Sequence, residues 1–484
     1  MALKDSKLVR SFYNLPGVMR TYHFLWAWLA ARKHDHPSKK IFVIGVTGTK
    51  GKTTTLELIN SILETAGKKT ALLSSLRVKI DAESRKNDTG NSMPGRGFIQ
   101  AFLRDAKDAG CGYALIEVTS QGVSLHRHRF IDWNMGVITN LAPEHIDWHG
   151  SYENYRAAKL EFLKYVLERG GKVFLNRDDR EYEFFANELV DKEASEEAAT
   201  IDDKHPDEVF GAHGAAHASG HAHGHGHDEP VIVFGSSREE DVIPYSREDQ
   251  WLKNNLAKAK LAQSLRGGNA PKFLIGKFNE ENIAVAVAIA KEFGLQDRVI
   301  EEAIVSFEGV AGRMEFVRKG NFTAIVDYAH TPESLRAAYS AARPEPTPYY
   351  PSPRLICVLG SAGGGRDAWK RPEMGAIADQ YCDEIILTDE DPYDEDPQEI
   401  IEQIEEGIRR SNPDRPPVRK VLNRKQAIRE AVQMMREGDV VIGTGKGSEE
   451  YIHRKHGARE PWNEREIFEE ELQKKFQNEQ PPLE

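Results

Sequence analysis

The run Gly45-Val-Thr-Gly-Thr-Lys-Gly-Lys-Thr-Thr-Thr55 is where residue type and spacing first spell out chemistry. Its glycines let backbone N–H groups close on phosphate oxygens, and a following helix N-terminus adds favourable partial charge. The candidate phosphate contacts are Gly48, Thr49, Lys50, Gly51, Lys52, Thr53 and Thr54. Lys52 can reach outer phosphates, and the Thr53 hydroxyl can sit on Mg2+. The strict form of this motif has glycine at position 46, where Val46 stands, with glycines at 45 and 48 instead. A Gly/Thr-rich turn without a ligand is the alternative, and the agreement of strand, turn, Gly-Lys-Thr and helix argues against it.

Further groups stand at the ends of apolar runs. Glu117 closes Tyr113-Ala-Leu-Ile-Glu117. A carboxylate at the C-terminal edge of a parallel strand faces the ligand crevice, where it could hold Mg2+ opposite Thr53; a solvated strand-end glutamate is the equal alternative. His145, in Thr139-Asn-Leu-Ala-Pro-Glu-His145-Ile-Asp-Trp-His149, is a metal ligand, a substrate contact or a structural histidine. Lys159 lies on the next helical stretch, where a surface lysine is the default. Asp327-Tyr-Ala-His330-Thr-Pro332 ends a strand and turns at the proline, which suits Asp327 and His330 to nucleotide or substrate contacts.

Strands and helices must position these groups. Ile41-Phe-Val-Ile44 leads into the glycine-rich turn, and Leu56, Ile59, Ile62 and Leu63 follow at helical spacing. Apolar runs at 70–73, 113–117, 136–139 and 172–175, with helical stretches between most of them, predict a parallel sheet with crossovers. Runs at 323–326, 355–359, 384–387 and 439–442 predict a second α/β unit beginning near Gly312-Arg313. Residues 279–293 and the tail after Glu464 read as helical. Residues 191–230 run from acidic, Ala-rich sequence into Gly/Ala/His low complexity that cannot build a core. They read as a disordered insertion able to hold Zn2+ or Ni2+ loosely, with Val231-Ile-Val-Phe234 resuming the strands.

The predicted division is a helical segment 1–40, a central unit 41–311 and a C-terminal unit 312–484. A chain of 484 residues with 39% hydrophobic content can bury several cores, and a net charge of −11 argues against a general nucleic-acid binder. Three scattered cysteines, Cys111, Cys357 and Cys382, argue against a disulfide framework and for a reducing cytoplasm. Residues 1–40 read as a helix packed on the next domain, with peripheral membrane contact as the second reading.

These segments, in this order, resemble the ATP-dependent Mur ligases of peptidoglycan synthesis, most closely the tripeptide-synthetase branch. The match is carried by Gly45–Thr55, Glu117-Val-Thr-Ser-Gln-Gly122, Thr139 to Gly150, Ala157-Ala-Lys159, Gly312-Arg-Met-Glu315, Asp327–Pro332, Lys370–Gly375 and Gly445-Lys-Gly447. The resemblance implies a P-loop ATPase-like central α/β domain with a parallel sheet and a Rossmann-like C-terminal α/β domain. It implies ATP and Mg2+, a UDP-linked muramoyl-peptide acceptor, a free amino acid, and a monomeric cytoplasmic enzyme; the short N-terminus with its apolar helix adds a lipid-linked acceptor as an alternative. It assigns Lys52, Glu117, His145 and Lys159 to catalysis. Thr53, Glu117, His145 and a carbamylated Lys159 would support metal. Asn282, Arg313, Asp327 and His330 would contact nucleotide, and Thr89, Thr119, Arg127, Asp391, Tyr393, Gly445 and Glu449 the acceptor or the amino acid.

The sequence departs from the family at three places. Only 40 residues precede the first strand, where the family carries a UDP-binding domain of about a hundred residues by resemblance. Thr119-Ser-Gln121 replaces Ser-Ser-His, and Leu125 stands where the family has a substrate-contacting glutamine. Asp389-Glu-Asp-Pro-Tyr393 replaces Asp-Asn-Pro-Arg, so the arginine that could grip a second carboxylate is absent. The acidic residues from Asp389 to Asp396 favour an amine-bearing side chain, or form a solvated loop. A ligase acting on another carboxylate, as in folylpolyglutamate synthases, and a nucleotide-binding protein without turnover are the competing readings.

Overall fold

The computed structural model describes residues 18–144, 146–190, 239–265, 276–365 and 367–479. Two sheets organise them. The first contains β1 (Phe42–Thr47), β2 (Thr70–Leu73), β3 (Arg77–Ile80), β4 (Glu83–Lys86), β5 (Tyr113–Glu117), β6 (Met135–Ile138), β7 (Lys172–Asn176) and β8 (Val242–Tyr245). Their spatial order is β4-β3-β2-β5-β1-β6-β7-β8, parallel except for the β2–β3 and β3–β4 pairs. The near-continuous apolar runs of β1, β2, β5 and β6 follow from burial on both faces. Helices 96–108, 152–167 and 182–189 cover one face through Leu103, Phe162 and Phe185. Helices 52–65, 250–265, 277–292 and 297–306 cover the other through Leu56, Leu256, Ile283 and Ile300.

The second sheet contains β9 (Glu315–Lys319), β10 (Phe322–Val326), β11 (Leu355–Leu359), β12 (Glu384–Leu387), β13 (Arg419–Lys420) and β14 (Val440–Gly443). Its order is β13-β12-β11-β14-β10-β9, with only the β9–β10 pair antiparallel. Helices 332–342, 370–381 and 397–411 pack on one face, and helices 424–434 and 464–479 on the other. β15 (Tyr451–His453) and β16 (Arg459–Pro461) form a separate hairpin.

The strands expected at 70–73, 113–117, 355–359 and 384–387 have those bounds, and the others within the described residues begin or end within a few residues of the expected ones. The β3–β4 hairpin was not foreseen, because β4 is exposed along its whole length and carries no apolar pattern. Among the described residues, 18–40 contribute the helix Val18–Lys33 and a short 3-10 turn at Pro37–Lys40. Residues 1–17, the insertion at 191–230 with its histidines, and the strand expected at 231–234 lie outside the described residues.

The expectation of no disulfide is corrected. Cys357 in β11 and Cys382 just after helix 370–381 are bonded across a separation of 25 residues. The crossover from β11 through that helix to β12 returns the chain beside its start, a neighbourhood that cysteine spacing does not reveal. Cys111 is free and buried. Thiol titration of the denatured chain should therefore find one reactive cysteine without reductant and three after reduction. Three thiols in unreduced protein would refute the bond.

Candidate active site

The C-terminal ends of β1 and β5 meet where the strand order reverses, the place at which open α/β sheets bind ligands. The turn Gly48–Gly51 leaves β1 there and enters helix Lys52–Thr65. Gly51 has φ 84°, and a Cβ on it would lie 2.3 Å from Asn282 Oδ1, so only glycine fits. The segment after β6 braces the turn. The Thr49 N–H donates to the Asn140 carbonyl at 2.9 Å, the Lys50 N–H to Asn140 Oδ1 at 2.9 Å, and the Thr139 hydroxyl to the Lys50 carbonyl at 2.6 Å. Asn282 accepts from the Thr55 hydroxyl at 3.2 Å, which ties helix 277–292 to the first turn of helix 52–65.

Glu117, at the end of β5, is buried. Its Oε2 accepts from the Thr53 hydroxyl at 3.0 Å and from the Ser75 N–H at 2.9 Å, and the Thr53 and Ser75 hydroxyls lie 2.9 Å apart. A carboxylate with two hydroxyls is an all-oxygen donor set suited to a hard cation completed by phosphate oxygens. Among the described residues no group of three or more His, Cys, Asp or Glu is placed to hold a metal, so this set fits Mg2+ arriving with a phosphate ligand rather than an all-protein cage.

Lys52 and Lys159 converge on one carbonyl. Lys52 Nζ donates to the Gly48 oxygen at 3.1 Å and the Thr49 oxygen at 3.0 Å, and Lys159 Nζ to the Gly48 oxygen at 2.7 Å. Burial lowers the pKa of both amines. Lys159 falls well below the ordinary lysine range because it is 1% exposed and Lys52 stands beside it. The surface position expected by default for Lys159 is thus replaced by a fully buried amine 4.7 Å from the Tyr155 ring.

The second sheet supplies the facing wall. A cleft of about 1090 Å3 is lined from the first sheet by Thr49 to Thr54 and Glu117, and from the second by Arg313, Asp327, His330 and Glu449. Arg313 lies over the Tyr328 ring at 4.2 Å. Both Asp327 oxygens accept backbone N–H groups, from Met314 at 2.7 Å and Ala329 at 2.8 Å, so this carboxylate holds the turn at 312–314 against the end of β10. His330 Nδ1 donates to the Tyr328 carbonyl at 2.7 Å, while Nε2 lies 3.6 Å from Glu144. Glu144 also pairs with Lys50 at 2.6 Å and links the two walls. Glu144 and Ser75 join the site unannounced by any motif: Ser75 follows the end of β2, a strand-end position that signals a crevice, whereas Glu144 sits in a loop without a pattern.

Burial pushes the His330 pKa down to about 4. Between that value and the ordinary value of 6.5 the unfolded chain binds more protons, so stability should fall as pH drops through this window. The full effect is at most ~3 kcal/mol. The difference in unfolding free energy between the native protein and His330→Gln should therefore shift between pH 7 and pH 4. A difference that stays constant would contradict a half-buried ring held neutral.

The remaining candidates are distributed. His145 lies outside the described residues. Thr119 caps helix 120–124 by accepting from the Gly122 N–H at 3.1 Å, Thr89 donates to Asn87 at 2.6 Å, and Arg127 donates to the Met93 carbonyl. None of these three lines the cleft. The acidic stretch divides: Asp389, Glu390 and Asp391 are buried, whereas Asp394 and Asp396 are exposed, as a solvated loop would have them. Asp391 is neutralised by Lys446 at 2.8 Å and also accepts from the His453 N–H, while Asp389 pairs with Arg454. Tyr393 stacks on His453 with centroids 5.1 Å apart. Glu390 Oε2 is buried without a hydrogen-bond partner, and burial raises its pKa to about 7. Gly445 leaves room for it: at φ 100°, a Cβ there would lie 2.1 Å from Glu390 Oε2.

Comparison with known proteins agrees with this arrangement. The Mur ligase middle domain matches residues 46–290, and the Mur ligase glutamate ligase domain matches 312–447. UDP-N-acetylmuramoyl-L-alanyl-D-glutamate–2,6-diaminopimelate ligase of Syntrophomonas wolfei is 35% identical over 427 residues, covering 88% of this chain and 77% of that protein. UDP-N-acetylmuramyl-tripeptide synthetase of Deinococcus radiodurans is 33% identical over 438 residues, covering 90% and 79%. In fold, MurF from Acinetobacter baumannii superposes with a TM-score of 0.55 at 15% identity, covering 94% of this chain and 81% of that one. E. coli FolC in complex with DHPP and ADP gives 0.53 at 18%, covering 87% and 89%. With both of its matched domains present in order and its phosphate turn, strand-end carboxylate and buried lysine around one cleft, this chain belongs to the Mur ligase family.

Proposed function

We propose that the protein is an ATP-dependent amide ligase that joins an amino acid to the carboxylate of a muramoyl-peptide precursor in the cytoplasm. The observation that carries this reading is the single cleft in which the phosphate turn and Glu117 face Arg313, Asp327 and His330. An acceptor carboxylate oxygen bonds to the γ-phosphorus of ATP and ADP leaves, giving an acyl phosphate. The amino group then bonds to the acyl carbon, and phosphate departs with the oxygen that it received from the carboxylate. Such chemistry needs positioning and charge neutralisation above all. Gly48 to Gly51 bind the phosphates, Lys52 neutralises the outer ones, and Arg313 and His330 hold the nucleotide from the opposite wall. Thr53 and Glu117 would hold Mg2+, which supplies further neutralisation when bound.

Lys159 has the chemistry of a carbamylation site. Its buried amine favours the neutral form, and a neutral amine adds CO2 to give an anion. Protein equilibrated with 13C-bicarbonate should show one carbamate carbon signal that Lys159→Arg removes; a spectrum unchanged by the substitution would refute the assignment.

We divide the chain into an N-terminal segment 1–40, a central domain 41–311 and a C-terminal domain 312–484, acting as a monomer. For the incoming amino acid, the loops after β12 and β14 supply the carboxylates Glu390 and Glu449, the latter paired with Lys446 at 2.6 Å, and no guanidinium stands at position 393 to grip a second carboxylate. This favours an amine-bearing side chain such as that of lysine, although several relatives are named for diaminopimelate. Phosphate release measured with ATP, Mg2+, muramoyl-dipeptide acceptors and single amino acids tests the reading. Lysine-dependent release above that with diaminopimelate is expected. The opposite order would refute the side-chain assignment, and release dependent on no amino acid would refute the ligase.

A further inference from the structure

The helix Val18–Lys33 turns little of itself inward. Ala27, Ala30 and Ala31 are buried, while Tyr22, Phe24, Leu25, Trp26, Trp28 and Leu29 are 38–50% exposed. The remaining large apolar side chains exposed among the described residues are scattered along the chain. A contiguous apolar face of this kind marks a surface that meets a partner. Its composition is that of an interfacial helix, with aromatic rings that present an apolar body and, in tryptophan and tyrosine, a polar edge.

Charge identifies the partner. The helix contains no acidic residue, and Arg32 and Lys33 close it. Residues 1–33 carry Lys4, Lys7, Arg10, Arg20, Arg32 and Lys33 against Asp5 alone, in a chain whose net charge is −11. Sixteen residues are too few to cross a bilayer, and no helix among the described residues is long and apolar enough to do so. A short aromatic helix with an excess of basic residues suits the boundary between headgroups and acyl chains of an anionic membrane.

We propose that this helix docks the protein on the surface of an anionic phospholipid bilayer, lying in the interface plane. The docked face adjoins the loop 126–130 of the central domain, whose Arg127 the family resemblance assigns to the acceptor. The Phe24 ring packs on His126 and Phe130, with centroids 6.0 and 5.0 Å apart, and these residues flank Arg127 in one loop. Docking would therefore bring that loop close to the bilayer. Membrane binding through the helix is independent of the chemistry in the cleft, so its failure would leave the ligase reading untouched.

The full-length protein should co-sediment with phosphatidylglycerol vesicles, at least about tenfold more strongly than with phosphatidylcholine vesicles, and less so as salt is raised. Its tryptophan emission should move to shorter wavelength on binding. Trp26→Glu combined with Leu29→Glu should weaken partitioning by about tenfold or more while leaving ATP turnover without vesicles unchanged. Arg32→Glu combined with Lys33→Glu should remove the preference for anionic lipid. Absence of vesicle binding by the native protein would overturn the proposal, as would binding that neither double variant weakens. A native dimer that Trp26→Glu dissociates, with no vesicle binding, would instead assign the face to a second copy of this chain.

Discussion

Lys52→Ala should lower ATP turnover by about 10^3-fold while leaving the fold intact, the loss typical of removing one preorganised charge at a transition state. This amine rests on the Gly48 and Thr49 carbonyls, inside the turn that would wrap the phosphates. The turn has other supports in Asn140 and Thr139, so alanine should cost little stability. The effect should fall on kcat, because an outer phosphate gains charge as the γ-phosphoryl group transfers. Steady-state kinetics with a melting curve on the same sample checks this. Turnover reduced less than tenfold in a folded variant would remove Lys52 from the chemistry.

Arg424→Ala should destabilise the protein by about 3–5 kcal/mol, the cost of leaving a buried carboxylate unpaired. Arg424 and Glu464 are both fully buried and bond bidentately, Nε to Oε2 at 2.8 Å and Nη2 to Oε1 at 2.6 Å. The same guanidinium donates to the carbonyls of Thr444, at 2.7 Å, and Asp389, at 3.2 Å. It therefore clamps the loop after β14 to the loop after β12, the two loops that carry Glu449 and the Asp389–Tyr393 stretch. By contrast, breaking the exposed Arg410–Glu406 pair should cost no more than about 1 kcal/mol. Denaturant unfolding of both variants tests the contrast, and equal losses would contradict it.

What could be read from the chain before folding was local. The phosphate turn carries its signal in consecutive residues, and β1, β5, β11 and β12 carry theirs in apolar runs dictated by burial on both faces. Pairings made by the tertiary fold were not legible. Asp391 looked like free negative charge until the fold set Lys446 against it from 55 positions away. Lys159 looked like a surface lysine until the fold brought its amine onto the Gly48 carbonyl, 111 positions away. The Cys357–Cys382 bond and the Glu144 link between Lys50 and His330 were hidden for the same reason.

The most direct test follows a single oxygen atom. Acceptor labelled with 18O in the reacting carboxylate should, on turnover with ATP and amino acid, deliver one 18O to each phosphate released. That transfer requires the carboxylate to attack the γ-phosphorus. Phosphate without label, with amide still formed, would contradict the acyl-phosphate route through this cleft.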